Sequence, residues 1–331
     1  MFKLSYPGFW QSKNSFISIL LIPIAGLYYL IARLKEILSK PVRLPIPVIS
    51  VGNINIGGTG KTQMTLYLAR LLTKHGKRVC IATKGYGRNS SDTRLIDIKL
   101  DDIKQTGDEA FMLAKYFPVI IYQDTLQLVK IIESNRFEIA IFDDAMQNHK
   151  IIKDFSVVMI DGLRGFGNHR LLPAGPLRER VCAINTKADC AILIGQDLLN
   201  IKQHIKIPLF NAKIIPKKEF ILTSTESYIA FAGIGNPEKF YLTLKEYGVR
   251  IISKHDFPDH YIYSIEDLEE LNNIALKLGA NLITTEKDWV KLPKIWQQKI
   301  KYLEVSLEIH EESTLEGMLN ETILKKSKIL N

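Results

Sequence analysis

Cysteine is scarce and poorly spaced for building structure. The chain of 331 residues has three, Cys80, Cys182 and Cys190, and no CxxC pair. Neither a disulfide framework nor a cysteine-based zinc site is indicated, and reduced thiols in the cytosol are the simplest reading. There is no tandem repeat and no low-complexity tract. Apolar residues make up 46% of the chain and charged residues 24%, too much buriable surface for a disordered or collagen-like protein. Acids are nearly missing from the first 45 positions, where Glu36 stands against Lys3, Lys13, Arg33, Lys35, Lys40 and Arg43. That stretch holds more than half of the net charge of +9. The excess favours anionic partners such as a nucleotide, nucleic acid or an acidic membrane face.

Charge is absent altogether from the 19 residues between Lys13 and Arg33, about the length that crosses a bilayer core. A cleaved signal peptide is disfavoured, because Arg33 and Lys35 stand where a small-residue cleavage site belongs. A buried core helix competes. Pro23 and Gly26 would weaken such a helix in water but are tolerated in a membrane. A membrane anchor is the preferred reading, and the basic residues after it place the rest of the chain in the cytosol. Residues 1–45 thus read as anchor and basic juxtamembrane segment.

The length suggests two domains. Short apolar runs at 47–52, 79–82, 119–122, 139–142, 156–160 and 191–194 read as buried strands. Helical patterns follow Lys61 and cover 107–116 and 126–134. This alternation predicts an α/β fold, a mostly parallel sheet with helices on both faces, over residues 46–201. Residues 202–222, where Lys alternates with apolar residues, read as a linker. A second, smaller α/β domain is expected over 223–331, with strands at 228–232, 249–252 and 281–284 and a helix at 265–278. The lysine-rich tail from Lys325 reads as a solvated end.

Asn55-Ile56-Gly57-Gly58-Thr59-Gly60-Lys61-Thr62 lies between a predicted strand and a predicted helix, the context a P-loop needs. Glycines let backbone N–H groups converge on phosphate, and the helix start adds its positive dipole end. Lys61 suits the β and γ phosphates of ATP, and the Thr62 hydroxyl suits Mg²⁺. Asn55 stands where the pattern has Gly, and Asn tolerates left-handed backbone angles. Asp143 and Asp144 emerge from an apolar strand at the sheet's carboxyl edge, which fits a magnesium role. Asp108 and Glu109 open a helix, where acids commonly serve only as dipole complements. Thr186-Lys187-Ala188-Asp189 has the look of a guanine-reading motif, but it precedes its strand rather than following it, so GTP is discounted. His149, His169 and His260 read equally well as packed or exposed histidines.

Taken together, these segments resemble the lipid A tetraacyldisaccharide 4′-kinase family. The carriers are 51–62, Lys84-Gly-Tyr-Gly-Arg88, Gly107-Asp-Glu109, Asp143-Asp-Ala-Met-Gln147, the long block from Gly167 through Leu171-Leu-Pro-Ala-Gly-Pro-Leu-Arg-Glu179, Phe257-Pro-Asp-His260 and Thr284-Thr-Glu-Lys-Asp288. The resemblance implies a kinase on the cytosolic face of a Gram-negative inner membrane. It would move the γ-phosphate of ATP to the 4′-hydroxyl of an acylated disaccharide 1-phosphate, with Mg²⁺ and with neither nucleic acid nor an obligate protein partner. It also implies that Asp108 is the base and His260 its partner, and that Glu109, Gln147, Arg178 and Glu179 help to hold the acceptor. The chain departs from the family pattern at Lys84 (usually Arg), Gln63 (usually Pro), Ala145-Met146 and Asn148 (usually Gly-Phe and His), and His169 (usually Gly). Two other classes compete, a regulatory or chaperone-type P-loop NTPase and a nucleotide kinase. The latter leaves the apolar segment without a purpose.

Overall fold

The computed structural model describes residues 7–217 and 226–330, with side chains as far as Ile323. A 3-10 turn, Gly8–Trp10, precedes two helices, α1 (Phe16–Leu20) and α2 (Ile22–Ile37). Ser15 caps α1 by accepting from the Ser18 amide. The single span expected over this stretch is therefore not formed. The helix is broken at Leu21, and Pro23, which has no N–H to give the ladder, sits in the first turn of α2. Among the described residues no helix is long and apolar enough to cross a membrane. One side of the pair is tied to the protein. Ser18 Oγ donates to the Ala174 carbonyl, and the Tyr28 hydroxyl donates to the Arg178 carbonyl at 3.2 Å. Just ahead of α1, the Trp10 indole donates to the Pro173 carbonyl at 3.0 Å. The other side leaves Phe16, Leu20, Ile24, Leu27, Leu30, Ile31 and Leu34 exposed.

The large sheet follows in chain order: β1 (Val48–Gly52), then α3 (Lys61–Lys74), β2 (Val79–Thr83), β3 (Arg94–Leu95), β4 (Val119–Ile121), β5 (Ile139–Phe142), β6 (Phe155–Asp161), β7 (Cys190–Ile194) and β8 (Leu209–Pro216). The smaller sheet holds β9 (Ser227–Ala232), β10 (Arg250–Asp256), β11 (Asn281–Thr285) and β12 (Lys301–Leu303), and β13 (Val305–Ile309) comes after it. Strand order in the large sheet is β13-β8-β7-β6-β1-β5-β2-β4-β3. Only the edge pairs β13/β8 and β3/β4 are antiparallel. Every residue of β1, β5, β6 and β7 is buried, as expected where helices cover both faces. Met64, Leu68 and Leu72 of α3 pack on Ile49, Val51 and Ile81, while Leu128 and Ile132 pack on the opposite face against Cys80, Ala82 and Phe142.

Residues 202–222 are not a plain linker. Within them runs a strand, β8, whose period of two buries Phe210 and Ala212 and exposes Asn211 and Lys213. Residues 218–222 of that expected linker lie outside the described residues. The smaller sheet, ordered β10-β9-β11-β12, is parallel throughout. Its helix Ile265–Leu278 starts at a capping box of Ser264 and Asp267 and stops at Gly279, whose φ of 60° is left-handed. The second domain does not run on from 223 as expected. The chain returns through β13 to the edge of the large sheet, and Leu315, Leu319 and Ile323 of the helix Glu312–Leu330 join the first core. The side chains of the expected solvated tail from Lys325 lie outside the described residues.

Candidate active site

The P-loop leaves the carboxyl end of β1, flanked by β5 on one side and β6 on the other. Gly57 and Gly60 have φ of 112° and 80°, which only glycine adopts without strain. A Cβ at Gly60 would also lie 2.3 Å from Ile194 Cδ1. Asn55 does not take the left-handed backbone the sequence suggested, since it is not among the positive-φ residues. Its side chain works instead, donating to the Gly165 carbonyl at 2.6 Å. Asn53 Nδ2 donates to Thr59 Oγ1 at 2.9 Å and closes the loop. The Leu171–Glu179 block runs alongside it, with the Ile56 amide on the Pro176 carbonyl and the Arg178 amide on the Ile54 carbonyl.

Asp143 and Asp144 lie beside the P-loop. Lys61 Nζ is 3.6 Å from Asp144 Oδ1, and Arg178 Nη1 is 3.1 Å from both Asp144 oxygens. Burial works to raise the Asp144 carboxyl, but Lys61 and Arg178 outweigh it and hold it below its ordinary value. Asp143 is buried and accepts from Thr65 Oγ1 at 2.8 Å. Burial first, then the carboxylate of Glu109, pushes its carboxyl up to about 7. Among the described residues no three His, Cys, Asp or Glu side chains are grouped to hold a metal by themselves. Two carboxylates are nonetheless oxygen donors that suit Mg²⁺, which characteristically takes one or two carboxylates and completes its shell with water and phosphate. A dication there would also relieve the like-charge crowding that raises Asp143.

Gln147 links both halves of this rim. Its Nε2 donates to the Asn53 carbonyl at 2.9 Å and to Glu179 at 3.0 Å, and its Oε1 accepts from Arg178 at 3.2 Å. Glu179 takes a further bond from Lys187 at 2.6 Å, and Lys187 reaches Glu36 of α2 at 2.8 Å. His149 is set apart, lining a cavity of about 410 Å³ with Glu36, Lys153 and Lys187. His169 packs its ring against Phe166 and His204.

Asp108 and His260 are 152 positions apart and meet across the two domains, His260 Nδ1 lying 2.8 Å from Asp108 Oδ2. Burial alone would raise the Asp108 carboxyl, but the His260 bond and the Lys287 ammonium outweigh it and lower it to about 2. Lys287, absent from the sequence candidates, stands at the centre of this group. Its Nζ is 2.9 Å from Glu109 Oε1 and 3.3 Å from His260 Nε2. Burial opposes its charge, but Glu109 and Asp108 outweigh that and hold its pKa above the ordinary lysine value. Glu109 is in turn held low chiefly by Lys287. A cation beside Nε2 requires that nitrogen to accept, so the proton of the neutral ring belongs on Nδ1, facing Asp108. The signal for Lys287 was the Thr284–Asp288 segment itself, which spacing alone could not bring next to Glu109.

Comparison with known proteins accords with this geometry. The profile of the family described as Tetraacyldisaccharide-1-P 4'-kinase matches residues 17–324. The tetraacyldisaccharide 4'-kinase of Rickettsia canadensis is 40% identical over 335 aligned residues, covering all of both chains. That of Rickettsia felis is 41% identical over 334, again covering both. The crystal structure of LpxK from Aquifex aeolicus in complex with ATP superimposes with a TM-score of 0.77 at 29% identity, over 93% of this chain and 99% of that one. A P-loop, an acidic pair beside it, a carboxylate–histidine contact across the cleft and a match along nearly the whole length agree, and the chain belongs to the tetraacyldisaccharide-1-P 4'-kinase family.

Proposed function

We infer that the chain transfers the γ-phosphate of ATP to the 4′-hydroxyl of a tetraacylated disaccharide 1-phosphate. The full-length kinship with tetraacyldisaccharide 4'-kinases carries this reading, and the Asp108–His260 contact between the two domains supports the roles within it. Asp108 takes the proton of the 4′-hydroxyl as the oxygen attacks phosphorus. The new P–O bond forms while the bond to the β,γ-bridging oxygen breaks, and that electron pair leaves with ADP. His260, donating through Nδ1, fixes the Asp108 carboxylate toward the acceptor. Lys61 and the P-loop amides stabilise charge on the phosphates. Thr62, Asp143 and Asp144 would hold Mg²⁺, which when bound neutralises the polyphosphate and orients it. Glu109, Gln147, Arg178 and Glu179 line the rim where the sugar enters.

The acceptor's acyl chains stay in a bilayer, and the exposed apolar side of α1 and α2 supports contact with that surface. An amphipathic pair with Lys13, Arg33, Lys35 and Lys40 near it suits an element lying in the interface and attracted by anionic headgroups. We place the protein on the cytosolic face of the inner membrane on this basis.

The test is incubation of purified protein with ATP and Mg²⁺, with and without tetraacyldisaccharide 1-phosphate. A lipid-dependent bis-phosphorylated product is expected. ATP hydrolysis indifferent to lipid and stimulated by a protein would overturn the reading in favour of a regulatory NTPase.

A further inference from the structure

The P-loop has acids on its β5 side and an arginine on its β6 side. β6 ends at Asp161, and the chain turns through Gly162-Leu163-Arg164 next to the loop. Arg164 Nη1 lies 3.5 Å from the position a Cβ on Gly57 would occupy. Gly57 is the third residue of the eight-residue phosphate loop, within the stretch whose backbone cradles the β and γ phosphates. The turn is firmly built. Asp161, 2% exposed, accepts from the Leu163 amide at 3.0 Å and the Arg164 amide at 3.3 Å. The Asn55 side chain then stitches the start of the P-loop to the carbonyl of Gly165, the next residue. The unusual Asn at that P-loop position thus has a physical purpose, locking the arginine-bearing turn in register with the loop.

The same turn touches the second domain. Arg164 Nη2 is 3.4 Å from the Gly235 carbonyl, and Lys239 bonds Asp161 at 2.5 Å. Both partners follow β9, whose carboxyl end also supplies the Gly233 carbonyl that accepts from the His260 amide at 3.1 Å. The segment after β9 therefore contacts both the arginine-bearing turn and the partner of Asp108. The other cations of the site are committed differently. Lys61 faces Asp144, and Arg178 is divided between Asp144 and Gln147.

We propose that Arg164 is a built-in arginine finger, stabilising charge on the γ-phosphoryl group as it passes from ADP to the sugar oxygen. A planar guanidinium reaches two phosphoryl oxygens at once, which an ammonium does not. Supplied within the chain, it is presented when the second domain carries Gly235 and Lys239 against the turn. The inference rests on the P-loop reading, and its test separates the two.

The test compares wild type with Arg164→Ala, Arg164→Lys and Lys61→Ala. The readouts are kcat, KM for ATP, melting temperature, and affinity for ADP with aluminium fluoride, which imitates the transferring phosphoryl group. For Arg164→Ala, kcat is expected to fall about 10³-fold. KM for ATP should stay within about threefold, and affinity for the fluoride complex should drop far more than affinity for ATP. Arg164→Lys should recover little, and free guanidinium should rescue Arg164→Ala in part, a readout that loss of folding would not give. Wild-type kcat, or a loss matched by equal weakening of ATP and of the fluoride complex, would overturn the proposal. If Lys61→Ala is inactive while Arg164→Ala is active, only the finger is wrong. If both are active, the P-loop reading itself has failed.

Discussion

Asp108, proposed above as the base, is a buried carboxylate held in its ionised form by His260 and Lys287. Asp108→Ala is expected to cut turnover about 10²–10⁴-fold with little change in KM for ATP. His260→Ala should cut it less, and the double variant should be little worse than Asp108→Ala, because residues acting as a unit are non-additive. Fully additive losses in steady-state kinetics would dissolve the pair. Asp143 presents the opposite case. Its folded pKa lies near 7, above the unfolded value, so folding favours the protonated form. That contribution is complete below about pH 4 and is lost as pH rises through 7. In chelator at pH 8, Asp143→Asn should therefore be more stable than wild type, by up to about 4 kcal/mol at 1.36 kcal/mol per unit. The difference should shrink at pH 5, and Mg²⁺ should raise the wild-type melting temperature but not the variant's. Equal melting curves at both pH values would contradict the crowding described. The places of Lys61, Asp143 and Asp144 beside the P-loop were legible in the sequence because strand–loop–helix context announces them, whereas Asp108, Glu109 and His260 stood out only through the family resemblance. Lys287 and Arg164 were not legible, since their partners lie 178 and 71 positions away and no local pattern encodes such a meeting.

At the scale of elements, α1 and α2 display exposed apolar side chains on one side. Ile24→Asn with Leu27→Asn and Ile31→Asn alters one helical face, since these positions recur at helical spacing. The triple variant should lose most of its flotation with anionic vesicles. Its melting temperature should hardly move, because the replaced side chains are already exposed. What binding survives should fall with added salt. Flotation equal to wild type would place the membrane contact elsewhere. The helix Ile265–Leu278 was readable to the residue because its cap and its terminal glycine sit in the sequence. β8 was misread because its alternation is short, Phe210 and Ala212 in and Asn211 and Lys213 out, and is set in a lysine-dotted stretch that looks like a linker. The break at Leu21 was underread because uncharged length says nothing about where a helix stops. Pro23 was the available clue.

Over the whole molecule, polar contacts tie the two domains together. Besides Asp108–His260 and Lys239–Asp161, the Tyr116 hydroxyl lies 2.5 Å from Glu286 and 2.8 Å from Glu304. Lys115 is 3.3 Å from Glu286, and Lys217 pairs with Glu304. Tyr116→Phe leaves two acids facing each other without their shared hydroxyl. It should cost about 1–3 kcal/mol of stability and speed amide exchange across 281–289, read by mass spectrometry. Unchanged exchange there would show that the cluster does not restrain the smaller domain. The return of β13 to the edge of β8 has a consequence for the order of events during synthesis. On the ribosome the chain emerges from its N-terminus. The P-loop, its acids and Arg164 are all made before the strand that closes their sheet. Until residues 305–309 appear, β8 offers an unpaired edge to other nascent chains, a known route to aggregation. The P-loop domain is therefore a late finisher, completed only after the smaller domain has been made in the gap between its last two strands.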